Sequence, residues 1–461
     1  MKRIIFGHAC FAAIMWAAPA WSQNALTLDE VATRLQRVEQ ENAHLQQQLT
    51  TLQQELVALR QQGAVTSPST IERVDALEEQ VTVNTGRLAE QDQVKVETTQ
   101  RAPLRLTGMV LFNAFRNGKY AGPLDYPGIA QLAATTPNSG GTLRQSVFGI
   151  MFEAPRAVLG GQFHGELMMD LQVGLNTSPL TNQPRLRTAS IEGRWKDTAV
   201  LAGQEKLIFA PRDPNSLAQV LVSPLTGAGN LYGWRPQVRV EQLIRLGERQ
   251  DLDAQFGVTQ TLEDNSTTFP ADIMPTLELR RPGPEGHVQL THRFDDAHRF
   301  EIASGFHVSD THVARTVVPS RIVSMDWFVN PVSRLELSGF LYRGKNVAHV
   351  AGRRATGVTF LTSRPGVIEA IAVRSHGGWT QATIIATPRL SFNLQRSFED
   401  PDDQDLLSTS VSHNGMLAAN MFFRLAPNVV TGFEISQLHT RYKAGQRRGN
   451  THLNWYLAYL F

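Results

Sequence analysis

A period of two begins near residue 104 and persists to the last residue, Phe461, and no other feature restricts the folding of this chain so strongly. Phe163, Gly165, Leu167, Met169, Leu171 and Val173 alternate with Gln162, His164, Glu166, Met168, Asp170 and Gln172. Leu335, Leu337, Gly339 and Leu341 alternate with Arg334, Glu336, Ser338 and Phe340, and Leu390, Phe392 and Leu394 with Arg389, Ser391, Asn393 and Gln395. Neighbouring side chains of an extended strand point to opposite sides, so each stretch has one apolar and one polar face. Gly and polar residues dilute the apolar set, as where one face meets lipid and the other water. A sheet in lipid satisfies its backbone only by closing on itself. The pattern therefore predicts an all-β transmembrane barrel over residues 104–461, with about 16 antiparallel strands and at most 18, even numbers being the bacterial rule. Turns are expected at Asn330-Pro331, Thr387-Pro388 and Ala426-Pro427-Asn428, and a long loop obscures the count over 345–387.

The C-terminus sharpens this reading. Leu453, Trp455, Leu457, Tyr459 and Phe461 share one face, with His452, Asn454 and Tyr456 on the other. Aromatic residues at the border of an apolar band match an interfacial girdle. As the edge of a soluble sheet the same strand would be an aggregation hazard.

The N-terminal part is different. Residues 1–22 read as a secretory signal peptide: Lys2 and Arg3 precede a short apolar run, and Ala20-Trp21-Ser22 supplies small residues for cleavage. Cys10, the one cysteine, lies in this segment, so the mature chain has no thiol chemistry or disulfide. Residues 23–62 carry a coiled coil. Its seam positions are Leu28, Val31, Leu35, Val38, Asn42, Leu45, Leu49, Leu52, Leu56 and Leu59, spaced alternately by three and four. At ~1.5 Å per residue the 32 residues from Leu28 to Leu59 span about 48 Å. The β-branched Val31 and Val38 occupy the second seam position, not the first, which leans toward three or more strands; Asn42 sets register. Residues 63–103 hold a helix-breaking Gly63–Thr70 stretch, a weaker repeat and a polar linker.

At this point the sequence resembles the DcaP-like trimeric outer-membrane porins. The resemblance rests on Leu104–Phe112, Leu143–Ser146, Val200–Lys206, Gly227–Asn230 with Trp234–Arg239, Gly377–Trp379, Asp400–Asp405 and the terminal strand, in that order. It implies an outer-membrane homotrimer with its coiled coil in the periplasm, passing small organic anions such as dicarboxylates. It also implies that the long connection Phe209–Gly233 folds inward.

Selectivity in such a channel comes from charged side chains at a constriction. Basic residues outnumber acidic ones over residues 185–241. The basic candidates for the permeation path are Arg194, Lys206, Arg212, Arg235 and Arg239, with Arg144 a further one; Glu166, Asp170 and Glu192 are the acidic counterparts. By alternation Glu192, Arg194 and Lys196 oppose Ile191, Gly193 and Trp195. The acidic run Glu399–Asp405 lacks the Asp spacing and Gly of a calcium loop, and a solvated loop is its plainer reading.

Other classes fit less well. A formal charge of +2 does not argue for nucleic acid. No HExxH, G-x-S-x-G or phosphate-binding loop is present, and no metal or cofactor is implied. The alternative is a trimeric structural, tethering or adhesive protein in which the coil is the working part and holds a periplasmic or cell-wall partner; trimeric adhesins, however, contribute only a few strands per chain. A peptide spanning residues 28–59 is expected to sediment as a three-stranded helical species, and a two-stranded species would reject the seam argument.

Overall fold

A computed structural model describes Thr51 and residues 104–122, 125–154, 159–172, 182–261, 282–313, 316–350, 357–364 and 367–461. The signal-peptide, coiled-coil and linker readings fall outside these residues, apart from Thr51, which is helical.

The alternating segment forms a closed antiparallel barrel. Its first half contains β1 (Leu104–Asn117), β2 (Asn138–Thr142), β3 (Val147–Glu153), β4 (Gln162–Gln172), β5 (Asn182–Trp195), β6 (Thr198–Lys206), β7 (Trp234–Arg245), β8 (Gln250–Thr259) and β9 (Gly283–Arg293). The second contains β10 (Arg299–Val313), β11 (Thr316–Val332), β12 (Leu335–Lys345), β13 (Val358–Arg364), β14 (Val367–Ala372), β15 (Arg374–Thr387), β16 (Leu390–Pro401), β17 (Val411–Ala426), β18 (Val429–Tyr442) and β19 (Arg447–Leu460). Sixteen wall strands pair in chain order and β19 returns to β1. β2 continues the line of β3 along β1, so the second wall strand is broken at Leu143–Ser146. β13 and β14 pair only with each other, as a hairpin within the connection after β12. This is why the count was obscured over 345–387: alternation there belongs partly to a hairpin outside the wall.

Closure runs to the last residue. Met109–Asn117 pairs with Leu460–His452, and Gly108 and Phe461 exchange two backbone hydrogen bonds of 2.9 and 3.1 Å. On the outer face of this seam Phe112 meets Trp455 edge-on at 6.0 Å, and Phe461 lies 6.3 Å from Phe148 and 6.4 Å from Tyr459. Leu453, Trp455, Leu457, Tyr459 and Phe461 face outward, as their shared face requires, while His452, Asn454 and Tyr456 are buried inside. The same holds for Leu337 and Leu341 of β12 and Phe392 and Leu394 of β16. An apolar outer belt over a polar interior is the pattern a bilayer demands of a barrel.

Most of the short turns fall at one end of the barrel and most of the long connections at the other. Thr387-Pro388 and Ala426-Pro427-Asn428 are turns as expected. Asn330-Pro331 is instead a register irregularity inside β11, and the reversal follows at Ser333-Arg334. Lys196, expected beside Arg194 on a strand face, sits in the β5–β6 turn at φ 44°. Deleting Phe461 removes the last rung and part of the aromatic seam. The yield of folded, heat-modifiable barrel on electrophoresis is expected to fall severalfold.

Candidate functional site: an inward connection across the lumen

The connection between β6 and β7, residues 207–233, folds into the barrel. Its start is apolar: Leu207, Ile208 and Phe209 are fully buried. Leu207, Phe209, Leu225 and Leu231 pack against Phe340, Trp379, Met416 and Leu438 on the inner faces of β12, β15, β17 and β18. Those wall residues break the polar-inside pattern, and the covering connection is the reason: they form a hydrophobic core with it, away from water. Gly229, at φ 107°, lies where the crossing chain comes up against the wall. A Cβ there would lie 2.1 Å from the Phe398 carbonyl oxygen and 2.6 Å from that of Gly378. Two stretches far apart in sequence thus meet, and Trp379 Nε1 donates to Asn230 Oδ1 at 3.0 Å.

The middle of the connection is polar and tied around the lumen. Arg212 bonds Asp326 of β11, Glu301 of β10 at 2.5 Å and Gln289 of β9 at 3.0 Å. The Asn215 carbonyl accepts from Gln395 at 2.6 Å and Asn420 at 2.8 Å, and its amide donates to Gln381 at 2.7 Å. Ser216 donates to Glu434 at 2.5 Å, and Asn113 donates to the Leu217 carbonyl at 2.8 Å. Gln145 donates to the Ala218 carbonyl at 2.9 Å and accepts from the Val220 amide at 2.6 Å. The break between β2 and β3 turns this Gln145 inward. A segment held on so many sides is a fixed constriction.

Against β1 and β5–β7 the connection leaves space. A cavity of about 220 Å³ there is lined by Met109, Arg187, Lys206, Asp213, Tyr232 and Trp234, among others. Arg187 faces inward because of a register shift. Met168 pairs with Thr188 and Met169 with Leu186, so Arg187 is the extra residue on β5. Arg185 and Arg187 lie over the Trp234 ring at 5.3 and 4.5 Å, and both approach the buried Asp170, at 2.5 and 3.5 Å. They also donate to the Leu221 and Val220 carbonyls at 2.6 and 3.0 Å. Two guanidiniums therefore share one carboxylate.

The expected site residues are all placed on the inner side, but in local pairs and not in opposed ranks of one sign. Arg194 pairs with Glu192 at 2.6 Å and approaches Glu241 at 3.7 Å; Arg239 pairs with Glu241 at 2.8 Å. Lys206, the last residue of β6 and half-exposed, pairs with Asp213 at 2.6 Å. Arg235 donates to the Val350 carbonyl at 2.8 Å. Glu166 accepts from Thr188 at 2.6 Å. Arg212 is a strut between the connection and the wall. Arg144 is fully buried, bidentate on Asp125. Among these, the structure brings Asp170 and Lys206 together with Arg185 and Arg187. Sequence reasoning missed the two arginines because a bulge defeats simple alternation; the surplus of basic residues over 185–241 was the available signal.

In the acidic run, Asp402 and Asp405 are held by Arg374 at 2.9 and 2.8 Å, and those hydrogen bonds keep the Asp405 carboxyl below the ordinary range. Glu399 points inside. Among the described residues no cluster of three or more His, Cys, Asp or Glu is arranged to hold a metal ion.

No protein-family model and no curated protein matches the sequence. Among solved structures, the outer membrane channel DcaP of Acinetobacter baumannii superposes with a TM-score of 0.62 at 15% identity, over 78% of this chain and 97% of that one. The anion-selective porin from Comamonas acidovorans superposes at 0.53 and 11% identity, over 78% and 100% of the two chains. The barrel shares the fold of the DcaP channel.

Replacing Arg212 by Met leaves buried Asp326 without its guanidinium, which typically costs about 3 kcal/mol for a buried pair. The expected outcome is a larger and noisier single-channel conductance with the barrel still folded.

Proposed function

We propose that this protein is an outer-membrane porin giving passive diffusion to small hydrophilic solutes, with a preference for organic anions such as dicarboxylates. The observation that carries the reading is the pair Arg185 and Arg187. Both stand over Trp234 at the edge of the opening left by the inward connection, and they share the single carboxylate of Asp170. Lys206 lines the same cavity as Arg187. A concentration of positive charge at a narrow point lowers the barrier for anions and raises it for cations. A solute with two carboxylates can engage two such cations in succession. The apolar outer belt supports residence in a bilayer, and the likeness to barrels described as channels supports passage of solutes. On this reading the heptad segment of residues 28–59 assembles three copies on the periplasmic side, where it is free to meet a periplasmic or cell-wall partner.

Reconstituted protein in a planar bilayer, under a salt gradient, tests the proposal. Conductance in steps of three, a reversal potential on the anion side and block by succinate are expected. Replacing Arg185 and Arg187 together by Gln should lower the anion-to-cation permeability ratio by about threefold per charge removed, taking a dielectric near that of water at these distances. A folded barrel with no conductance would sink the channel reading.

A further inference from the structure

The outer wall carries a charged row that solute passage does not use. Cross-strand register places Arg343 opposite His376, His376 opposite Asp400, His413 opposite Arg441, and Arg441 opposite Arg447. Residues directly opposed in an antiparallel ladder share a face. This face is the outside: two-residue steps down the same strands reach Leu341, Leu417, Ile435 and Trp455, all exposed. One step toward the long connections, Arg321 opposes Lys345, and Lys345 opposes Arg374. The row therefore runs around the wall from β11 to β19, where the apolar belt ends.

A groove of about 570 Å³ opens along it, lined by Arg321, Arg343, Lys345, Arg374, His376 and Arg441. Asp400, Asp402 and Asp403 also line it. Two of these carboxylates are engaged: Asp402 by Arg374 at 2.9 Å, and Asp400 by His413 at 3.3 Å, with Arg441 at 3.8 Å and His376 at 3.9 Å. Arg321 pairs with Asp310 at 2.9 Å. Among the described residues, no carboxylate lies within ion-pair distance of Arg343 or Lys345. These two project from the same face of β12, two residues and hence about 7 Å apart. Uncompensated guanidinium and ammonium groups bordering an apolar belt meet the level of lipid headgroups. Phosphate is the headgroup anion that arginine binds in bidentate fashion.

We propose that this groove binds the phosphates of a lipid carrying more than one of them, in the leaflet at the long-connection end of the barrel, with Arg343 and Lys345 as its principal contacts. The inference rests on the bilayer reading of the barrel and not on what passes through it.

Native mass spectrometry of the full-length protein in detergent tests it. The probes are diphosphorylated lipid A, the same glycolipid with its phosphates removed, and inorganic phosphate. The diphosphorylated form is expected to bind at least about tenfold more tightly than the dephosphorylated one, a difference equal to one charge-assisted contact. The double variant Arg343→Gln, Lys345→Gln should lose about that factor, while Arg194→Gln in the lumen should not. Bilayer conductance of the double variant, unchanged from the parent, shows that the barrel is intact. Equal binding of the two glycolipids, or of the parent and the double variant, overturns the proposal. Displacement of the lipid by an equal concentration of inorganic phosphate also overturns it, since the site would then belong to a free anion. Lipid binding by a barrel without conductance supports this inference while removing the channel reading.

Discussion

A strand edge surrounded by lipid has no water to satisfy its amide and carbonyl groups, and the pairing of β1 with β19 removes the last such edge. The Gly108–Phe461 rung carries that pairing to the final residue. Gly108 also leaves room there, since a Cβ would sit 2.4 Å from the Val147 carbonyl oxygen. Once the ring is closed, every wall residue is committed to one of two environments. The outward set must be apolar across the bilayer. The inward set is free to carry Asn, Gln, Glu and His, and it does, as in the Asn113–Asn454 and Asn117–His452 contacts behind the seam.

Closure alone would leave a wide pore. The connection over residues 207–233 reduces it by using both environments available inside the ring. Its apolar ends bury Phe340, Trp379 and Leu438, and its polar middle bonds to inward amides and carboxylates. The apolar part supplies adhesion and the polar part fixes position, because each buried polar group left without a partner would cost free energy. Gln145 and Asn230 are the residues that register the connection against the wall. The remaining space lies beside the bulge that turns Arg187 inward, next to Arg185.

Charge is distributed differently on the two sides of the wall. Inside, most cations face a carboxylate two residues away or on a neighbouring strand, as Arg239 does with Glu241 and Arg194 with Glu192. Outside, charge gathers at the margin of the apolar belt, where long Arg and Lys side chains keep their heads out of hydrocarbon; Arg396, between Leu394 and Phe398 on the outer face of β16, is an exception. Arg343 and Lys345 lie in that margin, one and two steps beyond Leu341 on the outward face of β12.

The barrel was legible in the sequence because a period of two is a local property. Leu453 to Phe461 show which residues face lipid without any knowledge of their partners. The candidate permeation residues were legible only as a class. Alternation put Arg194, Arg235 and Arg239 on the inner face, where they are, but it could not show that Arg194 and Arg239 are neutralised by adjacent carboxylates. Nor could it show Arg187 as the extra residue of a bulge, because a bulge is defined by the partner strand. By itself, then, the sequence determined the strands, their two faces and the aromatic seam, all of which depend on near neighbours along the chain. Only the tertiary structure decided where residues 207–233 cross the lumen and which cations they gather beside them. Those outcomes depend on contacts between segments more than a hundred residues apart, such as Arg212 with Asp326 and Asn215 with Gln395.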